Sequence, residues 1–255
     1  MPATPFVLTP AESKRLIARA VVQLPSVKKA LSDGIVMAST GSTNTYVLEE
    51  LLGEKIPQHS YLSGITLPAK DAPNIPADRR NDLVLVKGRP DDSLDRFSAL
   101  ERMEPGDVFI KGANALNYDT QTAGILIGGH GGGGTIGAAM GHVVGRRLNL
   151  VMPVGLEKCI ADDIVEVAER MNTPDEYDPD PPRMMPVVGA DIVTEIEALR
   201  VLAGVEVYHV ASGGIAGAEG AVWLLAEGSS DEVAAAKRIV EDLRGEPPFL
   251  AGSRS

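Results

Sequence analysis

Gly34-Ile35-Val36-Met37-Ala38 is a short, continuous apolar run. It leads into Ser39-Thr40-Gly41-Ser42-Thr43 and then into Asn44-Thr45-Tyr46-Val47-Leu48-Glu49-Glu50-Leu51-Leu52-Gly53. The first segment reads as a buried strand, the second as a loop of small residues, and the third as a helix stopped by glycine. Strand, small-residue loop, helix is the opening of a βαβ unit. Similar alternation follows downstream. Strands are predicted at 83–86, 107–110, 124–127 and 148–153, with helices at 93–103, 135–147 and 160–171. Upstream, Thr9-Pro10-Ala11-Glu12 carries a capping-box pattern with proline at the first helical position, and Leu16, Ile17, Ala20 and Val21 recur at helical spacing. A second short helix is expected from Pro25 to about Asp33. Alternating short apolar strands and helices predict an α/β fold, Rossmann-like, with a mostly parallel sheet and helices on both faces.

The pattern changes after residue 172. Residues 173–186 are acidic and proline-rich, with few and unpatterned apolar positions, and read as a linker. Beyond them, helices are expected at 192–203 and 231–243, flanking strands at 205–210 and 221–225. This describes a small α+β domain, ferredoxin-like in outline. The expected organisation is a ligand-binding domain at 1–172, a linker at 173–186 and an α+β domain at 187–255.

Composition narrows the function classes. The chain has 255 residues, 44% hydrophobic and 23% charged, so it can bury a core. Its net charge of −11 opposes a generic electrostatic nucleic-acid binder, and 4% aromatic residues leave little to stack on single-stranded bases. One cysteine, Cys159, excludes an intramolecular disulfide framework and a cysteine-rich zinc site. Neither a signal-peptide pattern nor an apolar stretch of about twenty residues is seen. The expectation is a soluble cytoplasmic protein with no nucleic-acid or membrane partner.

Two loops carry the chemical signal. In Ser39, Thr40, Gly41, Ser42 and Thr43, four hydroxyls stand within five residues at a helix start. Unpaired N–H groups and the helix dipole there favour an anion. A capped βα turn is the simpler reading. The second loop is Gly128-Gly129-His130-Gly131-Gly132-Gly133-Gly134-Thr135. Six glycines in seven positions exceed what a turn needs, so a close approach by a chain segment, a helix or a ligand is expected. Gly129, Gly131 and Gly134 also match G-x-G-x-x-G, but the acidic residue expected about twenty positions on is replaced by a late Glu157. A nicotinamide nucleotide is therefore disfavoured, and no cofactor is expected.

The order of these segments resembles ribose-5-phosphate isomerase A. Met37 to Thr43 followed by Tyr46 to Leu51 is similar to that family's strand, T-G-S-T loop and helix. Asp107 to Asn117 is similar to its D-G-A-D-E-V-D strand and loop. Gly131 to Ile136, the following helix, Leu148 to Val154 and Leu156-Glu157-Lys158 are similar to its K-G-G-G-G-A-L, helix, strand and S-K-L segments. The wider superfamily includes glucosamine-6-phosphate deaminases, CoA-transferases and initiation-factor-2B-like proteins. The resemblance implies a Rossmann-like domain, a phosphorylated ligand and a homo-oligomer. The catalytic carboxylates are not retained: Lys111, Asn114 and Ala115 stand at the matching acidic positions, His130 replaces the lysine, and Ala139 lies where the glutamate base is expected. The chain is therefore expected not to be a ribose-5-phosphate isomerase.

The candidate site follows from these readings. Lys111, at a strand end, can bind phosphate, act as a base or form a Schiff base if buried. Asp119, the first carboxylate after Lys111 in sequence, is the candidate replacement base. His130 is the candidate general acid or base. Ser39 to Thr43, Asn114 and the glycines Gly131, Gly132 and Gly133 are the expected ligand contacts. Asn117 is a turn former or a hydroxyl-orienting side chain. His142 reads as a packed or surface helix residue and Glu219 as a solvated turn residue. His130 and His142 lack close ligand spacing, so no structural metal is expected. Three functions stay open: an isomerase or lyase-type enzyme acting by proton transfer on a phosphorylated small molecule, a non-catalytic ligand-binding subunit, and, least favoured, a nucleotide-dependent oxidoreductase.

Overall fold

The computed structural model describes residues 1–70, 72–128, 132–173 and 181–250. The first half of the chain carries strand β1 (Ala3–Leu8), helices α1 (Pro10–Val21) and α2 (Pro25–Asp33), β2 (Ile35–Ala38), α3 (Ser42–Leu52), β3 (Leu83–Val86), β4 (Arg89–Pro90), α4 (Arg96–Arg102) and β5 (Val108–Ile110). The second half carries β6 (Ala115–Asn117), β7 (Thr122–Ile127), α5 (Gly134–Arg146), β8 (Asn149–Pro153), α6 (Ile164–Asn172), β9 (Arg183–Val187), β10 (Asp191–Val193), α7 (Glu195–Ala203), β11 (Glu206–Ser212), β12 (Val222–Glu227) and α8 (Ser230–Leu243). Short 3-10 turns lie at Gln58–Tyr61 and Leu156–Lys158.

The central sheet has six strands in the order β10-β8-β5-β2-β3-β4. β10, β8, β5 and β2 run parallel, and β3 and β4 continue the sheet antiparallel. The Rossmann-like α/β expectation holds. β2 shows why a run without polar alternation works: all four of its residues are buried. Val36 and Ala38 join the core on one face, and Ile35 and Met37 the core on the other. A strand covered on both faces has no solvent side to leave polar. α1, α3 and α7 pack together on the first face, where Leu16, Ile17, Tyr46, Val47, Ile196 and Leu199 fill the core. α4 and α5 cover the second through Leu100, Ile136, Ala139 and Val143.

Local signals act as expected at several ends. The Thr9 side chain accepts from the Glu12 N–H, and Glu12 returns the bond to the Thr9 N–H at 2.9 Å. Gly53 closes α3 in the left-handed conformation, φ 70°. Asp107 locks the sheet at its lower edge: its carboxylate accepts from the Ile35 N–H at 2.7 Å and the Glu104 N–H at 2.8 Å.

Two expectations about the later chain are corrected, and one element is added at the start of the chain. Residues 183–187, read as the end of a linker, form β9, which pairs antiparallel with β7 in a three-stranded sheet β6-β7-β9. Only Met184 and Val187 of its five residues are buried, three positions apart, so the period-2 alternation that announces a strand is missing. Residues 191–193 are a strand and not the first turn of a helix; β10 joins β8 at the edge of the central sheet, and Thr194 then caps α7. Residues 3–8, unassigned in the sequence, form β1, which pairs with β12. The resulting antiparallel sheet, β1-β12-β11, carries α7 and α8. The chain thus crosses between the sheets, its N-terminal strand in the small one and β10 in the large one. Residues 174–180, the acidic centre of the expected linker, lie outside the described residues.

Candidate functional site

In an open parallel sheet, ligands bind beyond the carboxyl ends of the strands. Three adjacent strands, β2, β5 and β8, deliver Ser39–Thr43, Lys111 and Lys158 to that edge. Together with the start of α5 and the end of β7 they line a cleft of about 230 Å³. Thr40, Gly41, Ser42, Thr43, Lys111 and Asn114 line it, as do Ser63, Gly134, Thr135 and Lys158.

The loop after β2 is held from behind. The Ser39 N–H donates to the Ile110 carbonyl at 3.0 Å, and the Gly41 N–H to the Tyr61 carbonyl at 2.9 Å. Thr40 N–H donates to Asp82 Oδ1 at 2.9 Å, and Asp82 is itself clamped by Arg96. The buried Asn44 amide donates to the Ser39 carbonyl at 2.7 Å. These bonds use the N–H groups of residues 39–41. Those of Ser42, Thr43 and Asn44, the first turn of α3, make no hydrogen bond among the described residues, as helix geometry requires. The Thr43 hydroxyl is buried and equally without a partner. A Cβ built at Gly41 meets nothing within 4 Å, so the backbone is open to close approach from the cleft side.

Within the glycine run, residues 132–134 show the helix among the expected approaches. Gly132, Gly133 and Gly134 have φ of 91°, 69° and 63°, a left-handed succession that other residues adopt at a cost. A Cβ at Gly137 would overlap the Gly132 carbonyl oxygen. The close approach is therefore made by the loop on its own helix. The result is that the N-terminus of α5, at Gly134 and Thr135, opens on the cleft opposite α3.

Two lysines face these helix ends. Lys111 follows β5; its Nζ donates to the Gly112 carbonyl at 3.2 Å. Burial, and then the neighbouring Lys158 charge, push Lys111 down to about 8. Lys158 follows β8, and its Nζ donates to the Ala113 carbonyl at 2.8 Å. Burial lowers it too, while Glu157 favours its charged form. No carboxylate lines the cleft among the described residues. Two cations and two positive helix ends facing shared space without an acidic partner favour an anion.

The sequence-derived candidates divide accordingly. Thr40, Gly41, Ser42, Thr43, Asn114 and Lys111 are brought together. Asn114 Oδ1 accepts from the Leu126 N–H at 3.0 Å, which leaves its amide N–H groups as donors. Ser39 is fully buried beneath the loop and does not line the cleft. Gly132 and Gly133 shape the turn and do not line it either. Asp119 sits exposed in the hairpin turn between β6 and β7, apart from Lys111. Asn117 acts as a turn former, its Oδ1 accepting from the Thr120 N–H at 3.1 Å. His142 lies 3.8 Å from Glu101, and Glu219 accepts from the Gly217 N–H at 2.8 Å; both are away from the cleft. His130 and Gly131 lie outside the described residues.

Lys158 was missed as a site residue. The signal was present: it follows a strand, as Lys111 does, in Leu156-Glu157-Lys158. Thr135 and Ser63 were missed as well. Thr135 sits at the end of a glycine run whose backbone dominates the local signal, and Ser63 lies in a segment whose return to the loop nothing local announces. Thr40 Oγ1 donates to Ser63 Oγ at 2.9 Å.

One buried carboxyl group stands near this edge. Glu195, the first residue of α7, accepts from the Leu156 N–H at 2.9 Å. Burial, then the Glu157 charge, push Glu195 up to about 7. Among the described residues no cluster of His, Cys, Asp and Glu is arranged to hold a metal ion, and no helix is long and apolar enough to cross a membrane. No family model, curated protein or solved structure matches the chain.

Proposed function

We propose that the chain binds a small phosphorylated ligand, sugar-like or nucleotide-like, with its phosphate between the starts of α3 and α5. The observation that carries this is the convergence of two helix N-termini, Lys111 and Lys158 on one cleft that no described carboxylate lines. A volume of about 230 Å³ is below the usual range of about 300–1,000 Å³ for pockets that take drug-sized ligands, which favours a sugar phosphate over a dinucleotide. The order of the sequence segments supports reading the protein as a divergent relative of the sugar-phosphate isomerases and CoA-transferases, with an activity other than ribose-5-phosphate isomerisation. Isomerase or lyase-type chemistry fits a cleft in which the phosphate is anchored and a lysine stands at the reacting end.

A second reading, a non-catalytic ligand-binding subunit, is favoured by the absence of a carboxylate base from the described lining. Both readings require the anion site. The test is a thermal-shift series with inorganic phosphate and sugar phosphates on the full chain. Ligand that binds only the native state raises the midpoint. Phosphate is expected to raise it, and Lys158→Met to reduce the shift strongly. An unchanged midpoint with every phosphorylated compound refutes the proposal.

A further inference from the structure

We propose that Lys111 is a nucleophile that forms a Schiff base with the carbonyl carbon of a phosphate-bearing aldehyde or ketone held in the cleft between α3 and α5. The inference rests on the phosphate-site reading above and deepens it by naming the reacting group. It begins from the different situations of the two lysines. Lys158 Nζ is seated on the Ala113 carbonyl at 2.8 Å; burial lowers it as well, but Glu157 and Glu195 nearby oppose that and favour its charged form. That is the setting of a fixed cation, suited to holding phosphate. Among the described residues, Lys111 Nζ has only the longer 3.2 Å bond to the carbonyl of the next residue. The carboxylate that acts on it electrostatically, Asp82, is already engaged on both oxygens, by the Thr40 N–H and by Arg96. No described carboxylate in the cleft holds Lys111 as an ammonium.

Lysine becomes nucleophilic when it is desolvated or placed beside another cation, because both disfavour the charged amine. Lys111 has both, and its lowering to about 8 has these two causes in that order. The same cleft supplies the anchor. A phosphate at the first turns of α3 and α5 leaves the rest of a small ligand beside the end of β5, where Lys111 emerges. The step balances without an oxidant or a metal. The neutral amine of Lys111 attacks the carbonyl carbon and a C–N bond forms. The nitrogen gives up its two protons to the former carbonyl oxygen, the C–O bond breaks, water leaves and the imine remains. Hydrolysis reverses the step and restores the amine.

Pyridoxal 5′-phosphate, a phosphate-bearing aldehyde with a visible chromophore, is the probe. The full chain is mixed with it near neutral pH, reduced with borohydride, digested and mapped by mass. The expected result is one dominant adduct on Lys111, slowed by inorganic phosphate. Pyridoxal, which lacks the phosphate, is expected to label about tenfold more slowly or worse. Lys111→Arg is expected to lose the adduct, with a parent-like circular dichroism spectrum and cooperative thermal unfolding showing that the variant is folded. An adduct mainly on Lys158, or labelling spread over many lysines and indifferent to phosphate, overturns the proposal. A phosphate-induced midpoint shift with no Lys111 adduct overturns the Schiff base and leaves the phosphate site standing. Absence of both the shift and phosphate protection overturns the two together.

Discussion

Thr43 shows how a single side chain can report on a site. Its hydroxyl is buried and makes no hydrogen bond among the described residues, at the start of a helix whose first N–H groups are also open. An unpaired buried hydroxyl costs about 1–3 kcal/mol. Thr43→Val keeps the shape and removes the hydroxyl. The expected outcome is a free protein at least as stable as the parent, by urea unfolding, with phosphate affinity reduced by about tenfold or more. Equal affinity in the two proteins removes Thr43 from the ligand shell. Glu195 makes a prediction of opposite character. Its carboxyl is raised from the ordinary 4.5 to about 7 by burial and by Glu157. Protonation is therefore favoured in the folded state. The associated stability is fully present below about 4.5 and is lost as pH rises through about 7. Between about pH 5 and pH 8 the parent should lose on the order of 1–3 kcal/mol by this route. Glu195→Gln, which keeps an acceptor for the Leu156 N–H, should lose much less. Parallel pH profiles for the two proteins would assign the proton elsewhere.

At the scale of elements, the site depends on how two helices begin. α3 starts where it does because residues 39–41 spend their N–H groups on Ile110, Asp82 and Tyr61. α5 starts where it does because Gly132–Gly134 turn through left-handed conformations and Gly137 admits the Gly132 carbonyl. Gly137→Ala is the informative substitution. Alanine normally stabilises a helix interior by roughly 0.5–1 kcal/mol over glycine. Here its Cβ would overlap a backbone oxygen, so the loop must move. The variant is expected to be less stable than the parent and to bind phosphate more weakly, checked by thermal unfolding with and without phosphate. A gain in stability with unchanged binding shows that the loop moves freely. Much of this level was legible: the capping box at Thr9, the αL glycine after Leu52 and the buried run at 35–38 each announce themselves within a few residues. β9 and β10 did not, because three to five residues beside a proline-rich stretch carry too little periodicity to be told from loop.

At the scale of the molecule, α3, which follows the loop at 39–43, is tied to both ends of the described chain. Arg15 on α1 is only 3% exposed and pairs with Glu49 and Glu50 on α3 and with Glu246 beyond α8, while stacking on the Tyr46 ring at 4.6 Å. Lys55 adds a second cation to Glu49 and Glu246, at 3.0 and 3.4 Å. Removing Arg15 leaves buried carboxylates under-compensated, and Arg15→Met is expected to cost about 3–5 kcal/mol in urea unfolding. The exposed pair Lys29–Asp33 is the control: Lys29→Ala should change stability by no more than about 0.5 kcal/mol. Equal effects would show that the buried network does not join the ends of the chain.

The division between sequence and tertiary structure follows from range. The sequence by itself determined the α/β alternation, most helix ends, the anion-favouring loop at 39–43 and the lysine at the end of β5. Each depends on neighbours within a turn of helix or along one strand. The tertiary structure decided which side chains share a cleft. It brought in Lys158, because β8 lies beside β5, and Ser63, because its segment folds back to Thr40. It left Asp119 out, because the β6–β7 hairpin carries it away from the strand ends. It also placed β1 against β12, more than two hundred residues along the chain. Such pairings are set by the burial of whole faces, which depends on partners distant in sequence and leaves no mark on any one segment.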